Sequence, residues 1–161
     1  MSGNLIKKTG HLLLTGIVIS AGFWHTPGKA QTTASPNQLN AFVEALRVSA
    51  PPNRPNDGMY SQWQVLPGII PSWTKQCVGQ QMSAAQFEAD SAAARRTVSC
   101  IMERELNKNL AATGNNDTAA VRRTACWWMT GTVDGCSSGA TATYVQNVLN
   151  AYQQQLSRNQ S

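Results

Sequence analysis

The segment SPNQLNAFVEALRVS, residues 35–49, carries all the signals of a helix start. Ser35 can cap the helix, Pro36 takes the first helical position, and Gln38 stands three residues after the cap, where it completes a capping box. Apolar residues then recur at the i, i+3, i+4, i+7 spacing of one helix face: Leu39, Phe42, Val43 and Leu46. The segment therefore predicts an amphipathic helix that ends before Pro51.

The remainder of the chain indicates further helices around one short β-rich segment. Residues 51–58 (PPNRPNDG) have the composition of a loop, and residues 59–67 (MYSQWQVLP) predict one or two brief strands or an irregular ribbon. Start and stop signals predict helices over about 70–79, from a capping box at 83–86, over about 90–110, over 117–131, and from about 141. The predicted inward faces are Ala94, Val98, Ile101, Met102 and Leu106; then Val121, Thr124, Ala125 and Trp128; and last Val145, Val148, Leu149 and Tyr152. The fold class is mainly α, or α+β with a very small β element.

The first thirty residues have the pattern of a secretory signal peptide. Lys7 and Lys8 make the start basic, residues 12–24 (LLLTGIVISAGFW) are apolar, and Gly28 and Ala30 suit cleavage after Ala30. The run is shorter than the roughly 20 residues that a spanning helix needs, so we expect export, with an uncleaved anchor as the alternative. We divide the chain into a signal peptide (1–30), a flexible tail (31–37), a single domain (38–153) and a frayed tail (154–161).

Cleavage would change the charge and the chemistry of the chain. Three lysines, Lys7, Lys8 and Lys29, would leave, so the net charge would fall from +5 to +2 over the remaining 131 residues. The composition then gives no support for a nucleic-acid partner. Both histidines, His11 and His25, would also leave, which excludes histidine-dependent triads and histidine zinc sites. We expect a monomer with no cofactor, no metal and no membrane association after cleavage.

Four cysteines remain: Cys77, Cys100, Cys126 and Cys136. Their spacing contains no C-x-x-C pair, which disfavours zinc. In an oxidising compartment an even number favours two disulfides, for which three pairings exist. We favour Cys77–Cys100 with Cys126–Cys136, and buried free thiols are the alternative.

Three segments resemble, in order, the motifs of one enzyme superfamily. Residues 58–65 (GMYSQWQV) are similar to its G-x-x-G-x-x-Q-(V/L/I) segment, residues 125–131 (ACWWMTG) to its A-x-x-Y/W-N-x-G helix end, and residues 144–152 (YVQNVLNAY) to its Y-V-x-x-V-x-x-x-Y closing helix. Over roughly residues 38–152 the chain thus resembles the lysozyme-like superfamily, in the branch of soluble lytic transglycosylases and goose-type lysozymes. The resemblance implies a disulfide-stapled lysozyme-like helical domain that acts on peptidoglycan or another glycan.

The resemblance also implies a catalytic Glu in the first helix, and two positions compete for it. Glu44 stands twenty residues before Gln64, which is about the family's distance, but it is followed by Ala45 where the family has Ser. Alignment on the apolar pattern instead places Ser49 at the catalytic position, which would make the protein inactive. In place of the family's small-x-x-Gly segment the chain carries Tyr60 and Trp63.

Cleavage of a glycosidic bond needs a protonated carboxyl, and an apolar wall raises a carboxyl pKa toward neutrality. Phe42, Trp63 or Trp73 could supply that wall for Glu44. A hydrolase would use Asp57 as its second carboxylate, whereas a transglycosylase, by resemblance, needs none. The alternative for Glu44 is a solvated residue on the polar side of its helix.

Five further residues are candidates for glycan binding: Tyr60, Trp63, Gln64, Trp127 and Tyr144. Aromatic faces can stack on sugar rings, and we expect Trp127 in this role because the helical pattern places Trp128 in the core. By resemblance, Tyr144 hydrogen-bonds near the catalytic Glu, and Gln64 contacts sugar or backbone. The alternatives are a rim position for Tyr144 and a self-satisfied turn residue for Gln64.

Three functions follow from these patterns. The first is an exported peptidoglycan-cleaving enzyme, with Glu44 as general acid/base. The second is an inactive lysozyme-like domain that binds glycan or a protein partner. The third is an unrelated small helical secreted protein.

Overall fold

The computed structural model describes residues 33–54 and 57–158, so the predicted signal peptide lies outside the described residues. That part of the chain contains six helices and no strand: α1 (Pro36–Ser49), α2 (Ile70–Val78), α3 (Ala84–Ala89), α4 (Ser91–Ala112), α5 (Asp117–Thr130) and α6 (Gly139–Arg158). The prediction of a mainly helical fold is confirmed. Among the described helices, none has the length and apolarity to cross a membrane.

The helix starts and stops follow the local signals of the sequence. At α1 the Ser35 hydroxyl accepts a hydrogen bond from the Gln38 backbone at 3.2 Å, and the Gln38 side chain accepts one from the Ser35 backbone at 2.9 Å. The same reciprocal box starts α3. Gly131 ends α5 with φ +80°, a conformation that costs glycine little because it has no Cβ.

The first and last helices extend into the segments that the sequence assigned to tails. Helix α1 already begins at Pro36, inside the predicted flexible tail 31–37. Helix α6 begins at Gly139, two residues before the expected start, and continues to Arg158. Near the end of this helix, Leu156 packs against the core.

The core forms where α1 packs on α6 and α4. Phe42 of α1 is fully buried and meets Tyr152 of α6 edge-on, with ring centroids 6.4 Å apart. The predicted inward faces of α4 and α6 are buried in full. Burying a large apolar side chain stabilises a fold by about 1.5–3 kcal/mol, so this interface holds α1 firmly in place.

Two disulfides join neighbouring elements. Cys77–Cys100 links α2 to α4, and Cys126–Cys136 links α5 to the segment before α6. The favoured pairing is confirmed, and the alternative of free thiols is wrong.

The predicted β element is a single antiparallel bridge between Tyr60 and Val65. Their backbones exchange hydrogen bonds of 3.0 and 2.8 Å around a tight turn, residues 61–64. Within this turn Ser61 and Gln64 adopt positive φ values of 65° and 55°. The Trp63 indole N–H donates to the Val43 carbonyl at 2.9 Å, which fastens the turn to α1.

Candidate binding groove

A groove of about 260 Å³ lies at the C-terminal end of α1. It is lined mainly by apolar and aromatic side chains, with a few polar groups, as is usual for small-molecule sites. We call it the apolar groove; its lining is Ser49, Ala50, Pro51, Met59, Trp63, Gln64, Val65, Leu66, Ile69, Trp73, Trp128, Met129 and Tyr144.

The apolar groove is the meeting point of the three segments that carry the lysozyme-like resemblance. The first supplies Trp63 and Gln64, the second supplies Trp128, and the third supplies Tyr144. Ser49, the last residue of α1, also lies in the wall. These residues are distant in sequence, and the α1–α6 and α5–α6 packing brings them together.

Polar groups with free hydrogen-bonding capacity face this groove. The hydroxyls of Ser49 and Tyr144 form no hydrogen bond with any residue in the described ranges. Burial raises the pKa of Tyr144 well above that of an ordinary phenol, so it remains a protonated donor. Gln64 donates to Asn53 Oδ1 at 3.0 Å and to the Ser61 carbonyl at 3.3 Å, which leaves its side-chain oxygen available.

Glu44 lies outside the apolar groove and is held by two arginines. Arg47 donates to its carboxylate through Nε at 2.8 Å and through a second guanidinium nitrogen, and Arg95 lies 3.6 Å away. The hydrogen bonds from Arg47 lower the pKa of Glu44, and the charge of Arg95 adds to the effect. Partial burial acts in the opposite direction and does not outweigh these interactions, so the pKa of Glu44 is lowered rather than raised.

The second carboxylate candidate, Asp57, is also outside the groove. Its oxygens accept hydrogen bonds from the backbone of Met59 at 2.9 Å and of Arg54 at 3.2 Å, so the side chain organises its own loop. Neither Glu44 nor Asp57 therefore lines the apolar groove.

The two adjacent tryptophans are both half-buried and pack against the core, which differs from the roles that the helical pattern gave them. Trp128, predicted to lie in the core, is half-buried and lines the groove. Trp127, predicted to contact ligand, instead stacks on Trp73 with ring centroids 6.3 Å apart. Trp73 also lies close to Trp128, with ring centroids 6.0 Å apart.

The other binding candidates divide between the groove and its neighbourhood. Trp63, Gln64 and Tyr144 line the apolar groove, whereas Tyr60 lines a second hollow beside it. Sequence reasoning missed Leu66 and Met129, which are 56% and 50% exposed at the groove. Both are large apolar residues that belong to none of the predicted inward faces. That position was the sequence signal that could have identified them as groove residues.

No group of three or more metal-ligating side chains occurs within residues 33–54 and 57–158. Comparison of the chain with protein-family models, curated proteins and solved structures finds no match.

Proposed function

We propose that this chain is an exported lysozyme-like domain that binds the glycan of peptidoglycan in the apolar groove without cleaving it. The observation that carries the proposal is the convergence of residues 58–65, 125–131 and 144–152 on one groove. The α1–α6 and α5–α6 packing brings these segments together, and we take their meeting at one groove as support for the likeness. The two disulfides agree with export, because they persist in oxidising compartments.

Binding is favoured over cleavage because the described groove lining contains no carboxylate. General acid catalysis needs a protonated carboxyl beside the scissile bond. Glu44 is ionised by its arginine partners and faces elsewhere, and the end of α1 at the groove carries Ser49 instead. A serine hydroxyl can hydrogen-bond a sugar, but it cannot supply the proton.

The groove has the chemistry that a sugar chain requires. Trp128 and Trp73 provide apolar surface for the faces of sugar rings and for N-acetyl methyl groups. The free hydroxyls of Ser49 and Tyr144 can bond to sugar hydroxyls or amides. The lining carries no charge that would have to be desolvated, which suits a neutral glycan backbone.

The proposal is tested by co-sedimentation of the oxidised mature protein with purified sacculi. We expect Trp128→Ala to weaken binding by at least about tenfold, equivalent to about 1.4 kcal/mol. Tyr144→Phe should weaken it by roughly two- to tenfold, the usual range for one net hydrogen bond. Val48→Ala is the control, since it removes an exposed apolar side chain that does not line the groove.

The same incubation, read by mass spectrometry, separates binding from catalysis. We expect no soluble muropeptides from the wild-type protein. Anhydromuropeptides that disappear in Glu44→Gln would contradict the proposal and identify a transglycosylase. Wild-type protein that fails to sediment with sacculi would also refute it.

A further inference from the structure

A second hollow, of about 520 Å³, lies next to the apolar groove. It is lined by residues of the loop after α1, the 60–65 turn and α3, including Asn53, Tyr60 and Glu88. Met59 lines both the groove and this hollow. A ligand seated in the groove can therefore extend into the second hollow by crossing one side chain.

The two sites differ in charge. The described lining of the apolar groove is uncharged, whereas the second hollow carries Arg54 and Glu88. Arg54 forms no ion pair with any described residue. Glu88 accepts hydrogen bonds from Asn53 Nδ2 at 2.8 Å and from the Ser61 backbone, but no described cation neutralises it.

The hydrogen bonds to Glu88 position its carboxylate relative to the groove. The Ser61 backbone belongs to the turn that also presents Gln64, and Asn53 bonds to both Glu88 and Gln64. Gln64 in the apolar groove and the Glu88 carboxylate in the second hollow thus belong to one hydrogen-bonded network. A ligand that bridges the two sites would meet a rigid arrangement rather than two independent surfaces.

We propose that the second hollow binds the peptide branch of the wall polymer, a short peptide that carries both carboxylates and an ammonium group. Arg54 would pair with a peptide carboxylate, for which guanidinium is suited by its paired donors. Glu88 would accept the ammonium, and the exposed part of Tyr60 would cover the peptide backbone. This inference rests on the proposed function, because the glycan in the groove is what brings the peptide to the hollow.

Three soluble probes test the inference by calorimetry with the full oxidised domain: chitotetraose, a peptide-free muroglycan tetrasaccharide that keeps its lactyl carboxylates, and the same tetrasaccharide with its peptides. We expect the peptide-bearing probe to bind about tenfold more tightly than the other two. Arg54→Gln should reduce this advantage to about twofold and leave the affinity for chitotetraose unchanged. Arg122→Gln is the control, since Arg122 is an exposed arginine that bonds to Gln146 away from both sites.

The outcomes distinguish the inference from the function on which it rests. Equal affinity for the two muroglycan probes, both above chitotetraose, would assign the carboxylate to the lactyl group and overturn the peptide inference. Equal affinity for all three probes would overturn the inference and leave glycan binding intact. Failure of every probe to bind would overturn both.

Discussion

Helix α1 places its two candidate catalytic positions, Glu44 and Ser49, in different surroundings. Glu44 is held between Arg47 and Arg95 and has a lowered pKa. Ser49, five residues later, lies in an apolar wall with its hydroxyl free of protein partners in the described structure. The carboxylate is thus placed where charge is stabilised, and the neutral residue where a ligand would bind.

The difference follows from helical periodicity. Each residue turns the helix by about 100°, so positions five apart point about 140° away from each other. Distance along the chain from Gln64 favours Glu44 as the catalytic residue, but the face of the helix decides which side chain reaches the groove. Counting residues between motifs is therefore weaker evidence than the register of the buried face.

The largest expected effect concerns the disulfides, because one of them holds a helix that lines the groove. Cys126–Cys136 holds α5, which carries Trp128, to the segment leading into α6 and Tyr144. Replacing both cysteines by alanine should lower the free energy of unfolding by about 3 kcal/mol through the freed ten-residue loop. It should also weaken sacculus binding while leaving the pKa of Glu44 unchanged.

The second disulfide provides the comparison for that loss. Cys77–Cys100 closes 23 residues, and its removal should cost a similar amount, about 3 kcal/mol, because loop entropy rises only slowly with length. Denaturant unfolding of both double variants checks this. A loss below about 1 kcal/mol for Cys126→Ala/Cys136→Ala would mean that packing alone holds the groove wall.

The helices could be predicted from the sequence because their signals are local. The capping boxes at Ser35 and Ser83 and the apolar spacing of α4 and α6 act within a few residues, and the structure follows them. The groove could be predicted only in part, because its walls come from segments far apart. Neither the contact of Trp127 with Trp73 nor the pairing of Glu44 with Arg95 is encoded within one helix. Both depend on how α2 and α4 pack.

The backbone of residues 60–65 can be compared with the G-x-x-G-x-x-Q pattern that residues 58–65 resemble. Ser61 occupies the fourth position of the G-x-x-G-x-x-Q pattern and has φ +65°, a region that glycine enters at little cost. The backbone thus keeps the conformation that the pattern's glycine would favour, although the side chain differs.

A carboxyl introduced on the groove side of α1 is expected to destabilise the protein. Ser49→Glu should lower the free energy of unfolding by about 1–3 kcal/mol at pH 7, since an ionised group would sit in an apolar wall without a partner. Burial raises a carboxyl pKa, so the cost should be fully present above the folded-state pKa, fade as the pH falls from that value toward about 4.3, the unfolded value, and be absent below it. Urea unfolding at pH 7 and pH 4 measures the difference.

Ser49→Gln is the control for that variant, because it has a similar shape without the charge. Its effect on stability should be smaller and should not change between the two pH values. If Ser49→Glu is as stable as the wild type at both pH values, the C-terminal end of α1 is more solvated than its place in the groove indicates.

The smallest expected effect on stability is that of a substitution at Glu44, on the other face of α1. Glu44→Gln removes two partly exposed ion pairs, each worth about 0.2–1 kcal/mol after solvent screening, so we expect a loss of about 1 kcal/mol at pH 7. The folded-state pKa of Glu44 is lowered, so its stabilisation is present above the unfolded pKa of about 4.3 and is lost as the pH falls through the folded value. Wild type and variant should therefore converge in acid and also in high salt, which screens exposed pairs. An NMR titration that finds the pKa of Glu44 above its ordinary value would contradict the prediction that Glu44 is an ion-paired, non-catalytic residue. General acid catalysis requires a carboxyl pKa near neutrality, and the two ion pairs oppose such a pKa.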